Sequence, residues 1–163
     1  MKIVFLDVDG VLNCKQTRNP RKFPFILDAT LLRRLNHLLE ITGAEVVLAS
    51  NWRYDPVGLL AAKYFRVPFM DTTPDLPGQP RCTPILEWLR HHSEVDRFIV
   101  IDDEDDELDD LPLFQPLRRD GLSDEIVTAA ADYLNGKTDQ DMRRNKLVRI
   151  FQNLSALCRG HKN

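Results

Sequence analysis

Apolar residues fall along this chain in two rhythms. Residues 2–8 (KIVFLDV), 44–50 (AEVVLAS) and 97–103 (RFIVIDD) are short continuous runs, rich in β-branched and aromatic side chains, that finish in polar or acidic residues. Runs of this length predict strands buried on both faces. Between them the period becomes helical. Asp28 caps a helix in which Leu31, Leu32, Leu35, Leu38 and Leu39 make one stripe, and Gly43 ends it. A short helix spans about Val57 to Phe65, VPFM (67–70) is a minor strand, and a Pro-rich loop runs from Asp71 to Pro80. Thr83 with Pro84 starts a helix that buries Ile85, Trp88 and Leu89. LFQPL (113–117) is a further short strand, and Ser123, followed by Asp124 and Glu125, begins a helix to about Asn135.

Strands alternating with helices predict an α/β fold: a parallel sheet covered on both faces and joined by right-handed crossovers. The segment from Val11 to Phe25 lacks either period, carries two prolines, and reads as an excursion or small hairpin. The expected division is a core over 1–136 and a basic helix over 137–163, started by Thr138 and apolar along Leu147, Ile150, Phe151, Leu154 and Leu157. That helix packs on the sheet, carries nucleic acid or pairs with another subunit; packing would cover its stripe.

Composition changes this picture little. At 163 residues, 43% hydrophobic and 29% charged, one soluble domain with a single core is expected. The formal net charge of -3 is uneven: +5 over 136–163 against -8 before it. Cys14, Cys82 and Cys158 lack the paired spacing of a zinc site and read as reduced thiols. No signal-peptide core or membrane-length apolar run occurs, so a cytoplasmic protein without a membrane partner is expected, its oligomeric state open.

The polar strand ends carry the chemistry. In an open parallel sheet ligands bind beyond the carboxyl ends of the strands, where Asp7/Asp9, Ser50/Asn51 and Asp102/Asp103 fall. Clustered acids need a cation, and Mg²⁺ suits two or three carboxylates plus a substrate phosphate. Asp7 and Asp102 are expected ligands, with the backbone carbonyl of Asp9, and Asp103 directly or through water. Asp7 then serves as nucleophile on phosphorus and Asp9 as general acid and base. Ser50, Asn51 and Arg81 are expected to hold the phosphoryl oxygens.

DVDGV, then LASNW, a basic residue before a helix, and IDDE together resemble the four motifs of the haloacid dehalogenase (HAD) superfamily, over roughly residues 3–106. The resemblance implies a three-layer Rossmann-like core and, through the second Asp, the phosphatase branch. Ser50, Trp52 and Arg53 are similar to the Ser-x-Trp-Arg element of the small HAD domain found with nucleic-acid repair modules, which adds Arg53 to the substrate-binding set. The superfamily's third motif is usually Lys; here Arg81 stands at that helix start, with Lys63 the alternative. About thirty residues separate Ser50 from Arg81, so neither gap holds a full cap domain. An open site is connected by the resemblance with large substrates.

The expected function is therefore Mg²⁺-dependent hydrolysis of phosphomonoesters on nucleic-acid ends or nucleotides. A phosphoprotein or small-metabolite phosphatase, a catalytically silent binding module and a receiver-like phosphoacceptor are the alternatives. Lys15, Arg18, Arg21 and Lys22 either line a polyanion route or form a solvated loop. Trp52 either stacks on a base or packs behind the second strand. The run DDEDDELDD (102–110) reads mostly as a solvated loop, with Asp106 a lesser metal candidate and no EF-hand spacing. His91 and His92 at a helix end and Cys14 after the first motif read as structural.

Overall fold

The computed structural model describes residues 1–105 and 107–137. Its elements are β1 (Lys2–Leu6), α1 (Ala29–Thr42), β2 (Glu45–Leu48), a 3-10 turn (Asn51–Tyr54), α2 (Pro56–Tyr64), β3 (Phe69–Thr72), α3 (Cys82–Arg90), β4 (Arg97–Ile101), β5 (Leu113–Phe114) and α4 (Asp124–Leu134). The strands form one parallel sheet in the order β3-β2-β1-β4-β5. Order reverses at β1, which has β2 on one side and β4 on the other; the crevice of such a sheet opens beyond that point.

Alternation along each strand divides the core in two. Val4 and Leu6 of β1 join Val46, Leu48, Ile99 and Ile101 under Leu31, Leu35 and Leu38 of α1 and Ile126, Val127 and Leu134 of α4. Ile3 and Phe5 face the other way, with Val47 and Val100, onto Ile85 and Trp88 of α3. The result is three layers. Burying each of Leu31, Leu35 and Leu38 contributes about 1.5–3 kcal/mol, whereas the Asp28 cap, accepting from Thr30 N at 2.7 Å, contributes about 1 kcal/mol. Packing therefore holds α1, and its cap and the left-handed Gly43 (φ 65°) set where it starts and stops.

Several expected boundaries shift. The three main strands end at Leu6, Leu48 and Ile101, before Asp7, Ser50 and Asp102. Helix α3 begins at Cys82 instead of Thr83, with Arg81 at its cap and no side-chain capping bond. The excursion contains turns and no hairpin. Only the excursion and α1 lie between Gly10 and β2, and only the 3-10 turn, α2, β3 and a loop lie between β2 and α3, so the described core has no cap domain. Asp106 and residues 138–163, which include Cys158 and nearly all of the expected C-terminal helix, lie outside the described residues. Among the described residues no helix is long and apolar enough to cross a membrane.

Candidate active site

Register builds the site. Leu6 lies opposite Leu48 on one side and Ile101 on the other. The next residues, Asp7, Ala49 and Asp102, therefore leave the sheet at one level. Asp7 N donates to Ile101 O at 2.9 Å and Ala49 N to Leu6 O at 2.8 Å, which carries the ladder one step further. One carboxylate oxygen from each of Asp7, Asp102 and Asp103 then falls within 4.8 Å of the others; Asp7 and Asp102 are buried and Asp103 is half-buried.

Such a trio is electrostatically expensive. Burial, then the Asp102 charge, pushes the Asp7 carboxyl up to about 7; hydrogen bonding from Ser50 and the Arg81 charge pull it back only in part. Burial raises Asp102 to about 6 against the opposing pull of Arg81. Asp103 is raised for the same reason, with Arg118 opposing. Its Oδ2 is buried without a hydrogen-bond partner, 3.6 Å from Arg118 Nε. An all-oxygen donor set with an orphaned carboxylate oxygen fits a hard divalent cation.

Gly10 is required here for two reasons. Its φ is +78°, and a Cβ on it would stand 2.2 Å from Asp103 Cγ. Only glycine lets the DVDG turn close against the third acid.

Asp9 is placed differently. It is exposed, and its carboxylate is not one of the trio: Oδ1 accepts from Asn13 Nδ2 at 2.7 Å and Oδ2 from Trp52 Nε1 at 2.9 Å. A two-residue spacing on a strand would put both acids on one face, but β1 stops at Leu6, so Asp7 and Asp9 are not on a strand. Trp52 is 2% exposed and meets Phe25 edge-on at 5.1 Å, which decides for packing over base stacking.

Ser50 is fully buried beside Asp7, and its Oγ also caps the 3-10 turn by accepting from Trp52 N at 3.3 Å. A cavity of about 390 Å³ opens next to the trio, lined by Asn51, Arg53, Tyr54, Arg81, Asp102 and the loop 75–79. Arg53 spends Nη1 on the carbonyls of Ala49 and Ser50, at 2.5 and 2.8 Å, and Nη2 on the Tyr54 hydroxyl. Arg81 bonds Asp102 through Nη2 and Glu104 through Nη1, the latter at 2.8 Å. Lys63 is exposed on α2 and does not line the cavity.

Three neighbours escaped the sequence reading. Asn13 donates to Asp9 and also accepts from Gly10 N at 3.0 Å, a role that its position within DGVLN could have signalled. Arg118 comes from the turn after β5, and Glu104 bridges it to Arg81 at 3.2 and 2.8 Å. No local pattern marks either of these, because the contacts join segments far apart in sequence.

A parallel sheet whose carboxyl edge gathers the DxD, Ser and DD motifs, without a cap, defines a hydrolase of the haloacid dehalogenase superfamily. The assembled acids favour this over a silent module or a receiver-like domain. Residues 3–127 match the model of the HAD domain in Swiss Army Knife RNA repair proteins, and the chain belongs to that family. A comparison with curated proteins finds no match.

Proposed function

We propose that the protein is a Mg²⁺-dependent phosphatase acting on the phosphomonoester at a nucleic-acid end. Asp7, Asp102 and Asp103, with the Asp9 carbonyl, are the groups that would hold the cation. When bound, the ion neutralises the phosphate and favours ionised carboxylates at the trio. The observation that carries the reading is the convergence of three carboxylates, two on buried residues and one on a half-buried residue, within 4.8 Å, beside a serine hydroxyl and an arginine.

Asp7 Oδ attacks phosphorus, forming an acyl-phosphate bond as the ester P–O bond breaks. Asp9, in its protonated form, gives its proton to the departing alkoxide, and its carboxylate then takes a proton from the attacking water. That water cleaves the acyl phosphate, releasing inorganic phosphate and restoring Asp7. Trp52 and Asn13 hold the Asp9 carboxylate in one place through both transfers. Ser50, Asn51, Arg81 and Arg53 surround the phosphoryl oxygens, Arg53 by fixing the carbonyls at the end of β2. Arg81 fills the third-motif position, exchanging its bond to Asp102 for the substrate phosphate.

Two observations favour a polymer end as substrate. The crevice is open, and the family is named for RNA repair proteins. The test is phosphate release from p-nitrophenyl phosphate, 3′- and 5′-phosphorylated oligonucleotides, a phosphopeptide and a sugar phosphate, each with Mg²⁺ and with EDTA. The expected result is Mg²⁺-dependent release with the highest kcat/KM on one oligonucleotide. Preference for the sugar phosphate or phosphopeptide would overturn the substrate assignment.

A further inference from the structure

The excursion between β1 and α1 is fastened to the site at both ends. At its start, Asn13 holds Asp9; at its finish, Asn13 Nδ2 reaches Ile26 O at 3.0 Å and Phe25 packs on Trp52. Its middle is fastened to the turn after β5, where Lys15 N donates to Arg118 O at 3.4 Å and Gln16 Nε2 to Asp120 Oδ1 at 3.1 Å. Arg118 in turn faces Asp103 at 3.6 Å. The excursion that carries Lys15, Arg18, Arg21 and Lys22 is thus bonded to the segment that sets Arg118 beside the trio.

Lys15, Arg18, Arg21 and Lys22 are exposed, and none forms an ion pair with an acid among the described residues. This is uncommon company in a body whose formal charge is negative. The tip of the excursion is also built. Asn19 brackets Phe23 with two hydrogen bonds, Nδ2 to Phe23 O at 2.8 Å and Oδ1 from Phe23 N at 2.9 Å. Lys22 adopts φ 52°, a left-handed conformation that side chains disfavour. The turn so held presents Phe23 with 55% of its surface exposed, next to Arg21 and Lys22.

An exposed aromatic ring beside unpaired cations is the chemistry that grips single-stranded nucleic acid: phosphates take the cations, and a base stacks on the ring. We propose that the excursion is a strand-binding rim, which holds a single strand by its backbone while the terminal phosphate lies at Asp7, and that Phe23 is its stacking platform. Small phosphate esters reach Asp7 without touching this rim. The inference rests on the nucleic-acid reading of the substrate and adds where, and by which residues, the strand is bound.

The test uses the full chain with Mg²⁺. For the unaltered protein, KM for terminally phosphorylated single strands should fall as length rises from two to about six nucleotides and should rise steeply with salt. The Arg18→Ala/Arg21→Ala/Lys22→Ala variant should lower the slope of log(kcat/KM) against log salt by about 2, near 0.7 per phosphate contact on a single strand. Phe23→Ala should raise KM for the longer strand about tenfold, and Phe23→Trp should restore it. Turnover of p-nitrophenyl phosphate by these variants should match the parent, which also shows that they fold. Oligonucleotide KM and salt slope unchanged in both variants would overturn the rim while leaving the nucleic-acid phosphatase intact. A parent protein that hydrolyses p-nitrophenyl phosphate but prefers a phosphopeptide or sugar phosphate to every oligonucleotide would overturn both.

Discussion

The floor of the crevice and the excursion above it use the same charged side chains in opposite ways. On the floor, Asp102 is 3% exposed and Asp103 Oδ2 has no hydrogen-bond donor, so charge there is costly and raises each carboxyl. Arg81 beside the floor spends Nη1 and Nη2 on Glu104 and Asp102, and Arg53 spends Nη1 on backbone carbonyls while its Nε is buried without a partner. On the excursion, Lys15, Arg18, Arg21 and Lys22 remain in water, where an unpaired charge costs little. Desolvation separates the two regions: on the proposed reading it makes the floor a place for a multivalent ion and an ester, and leaves the excursion free for a solvated polyanion.

The sharpest way to break this contrast is at the floor. Asp7→Asn should lower kcat on every phosphate ester by about 10,000-fold or more, since it removes the proposed nucleophile. Single-turnover phosphate release measures it. Residual turnover within tenfold of the parent would mean that water, not Asp7, attacks.

A smaller effect should follow between the two regions, at Asp9. Asp9→Asn should cost about 100- to 10,000-fold in kcat, the usual weight of a general acid and base. Trp52→Phe removes the 2.9 Å bond that orients it, along with part of a buried ring. A hydrogen bond to a charged group contributes about 1.5–3 kcal/mol, so a drop of tenfold or somewhat more is expected, with KM little altered. If Trp52→Phe changes only thermal stability and not kcat, the indole merely fills the core.

Glu104 joins the arginine of the floor to Arg118 near the rim. Glu104→Gln keeps the shape but weakens both ion pairs, at 2.8 and 3.2 Å, and should raise KM for any phosphate ester several-fold through looser arginine placement. Lys63→Ala should leave kcat and KM unchanged, because Lys63 is exposed on α2 and lines no part of the cavity. A loss of activity there would reassign the third-motif cation away from Arg81.

The sequence was most informative where one periodicity governed a segment. Three apolar runs, two ending in acids and one in Ser50, announced the sheet and the edge on which chemistry collects, and Asp28, Gly43 and Ser123 marked helix ends by local hydrogen bonding. Neighbouring runs even share a register that brings Asp7 and Asp102 level, although nothing local encodes it. What could not be read depends on where the chain leaves regular structure. Because β1 ends at Leu6, the two-residue spacing of Asp7 and Asp9 no longer means a shared face, and Asp9 turns to Trp52. Arg118 and Glu104 meet only through tertiary packing, while the excursion gave no sign in its composition that Asn19 brackets Phe23.

The central claim is that the trio is stable as ionised carboxylates only around a cation, and thermal unfolding of the full chain across pH tests it most directly. Without metal, the folded protein retains protons on Asp7 and Asp102 up to about 7 and 6, whereas the unfolded chain releases them near the ordinary value of 3.8. The contribution of these two groups to stability should therefore be complete below about pH 4 and be lost as pH rises to 7, by on the order of a few kcal/mol. Added Mg²⁺ should raise Tm at pH 7, less at pH 5, and lose most of its effect in Asp102→Asn. A metal-free Tm that does not fall over that range, together with a Tm at pH 7 that Mg²⁺ leaves unchanged, would contradict the account.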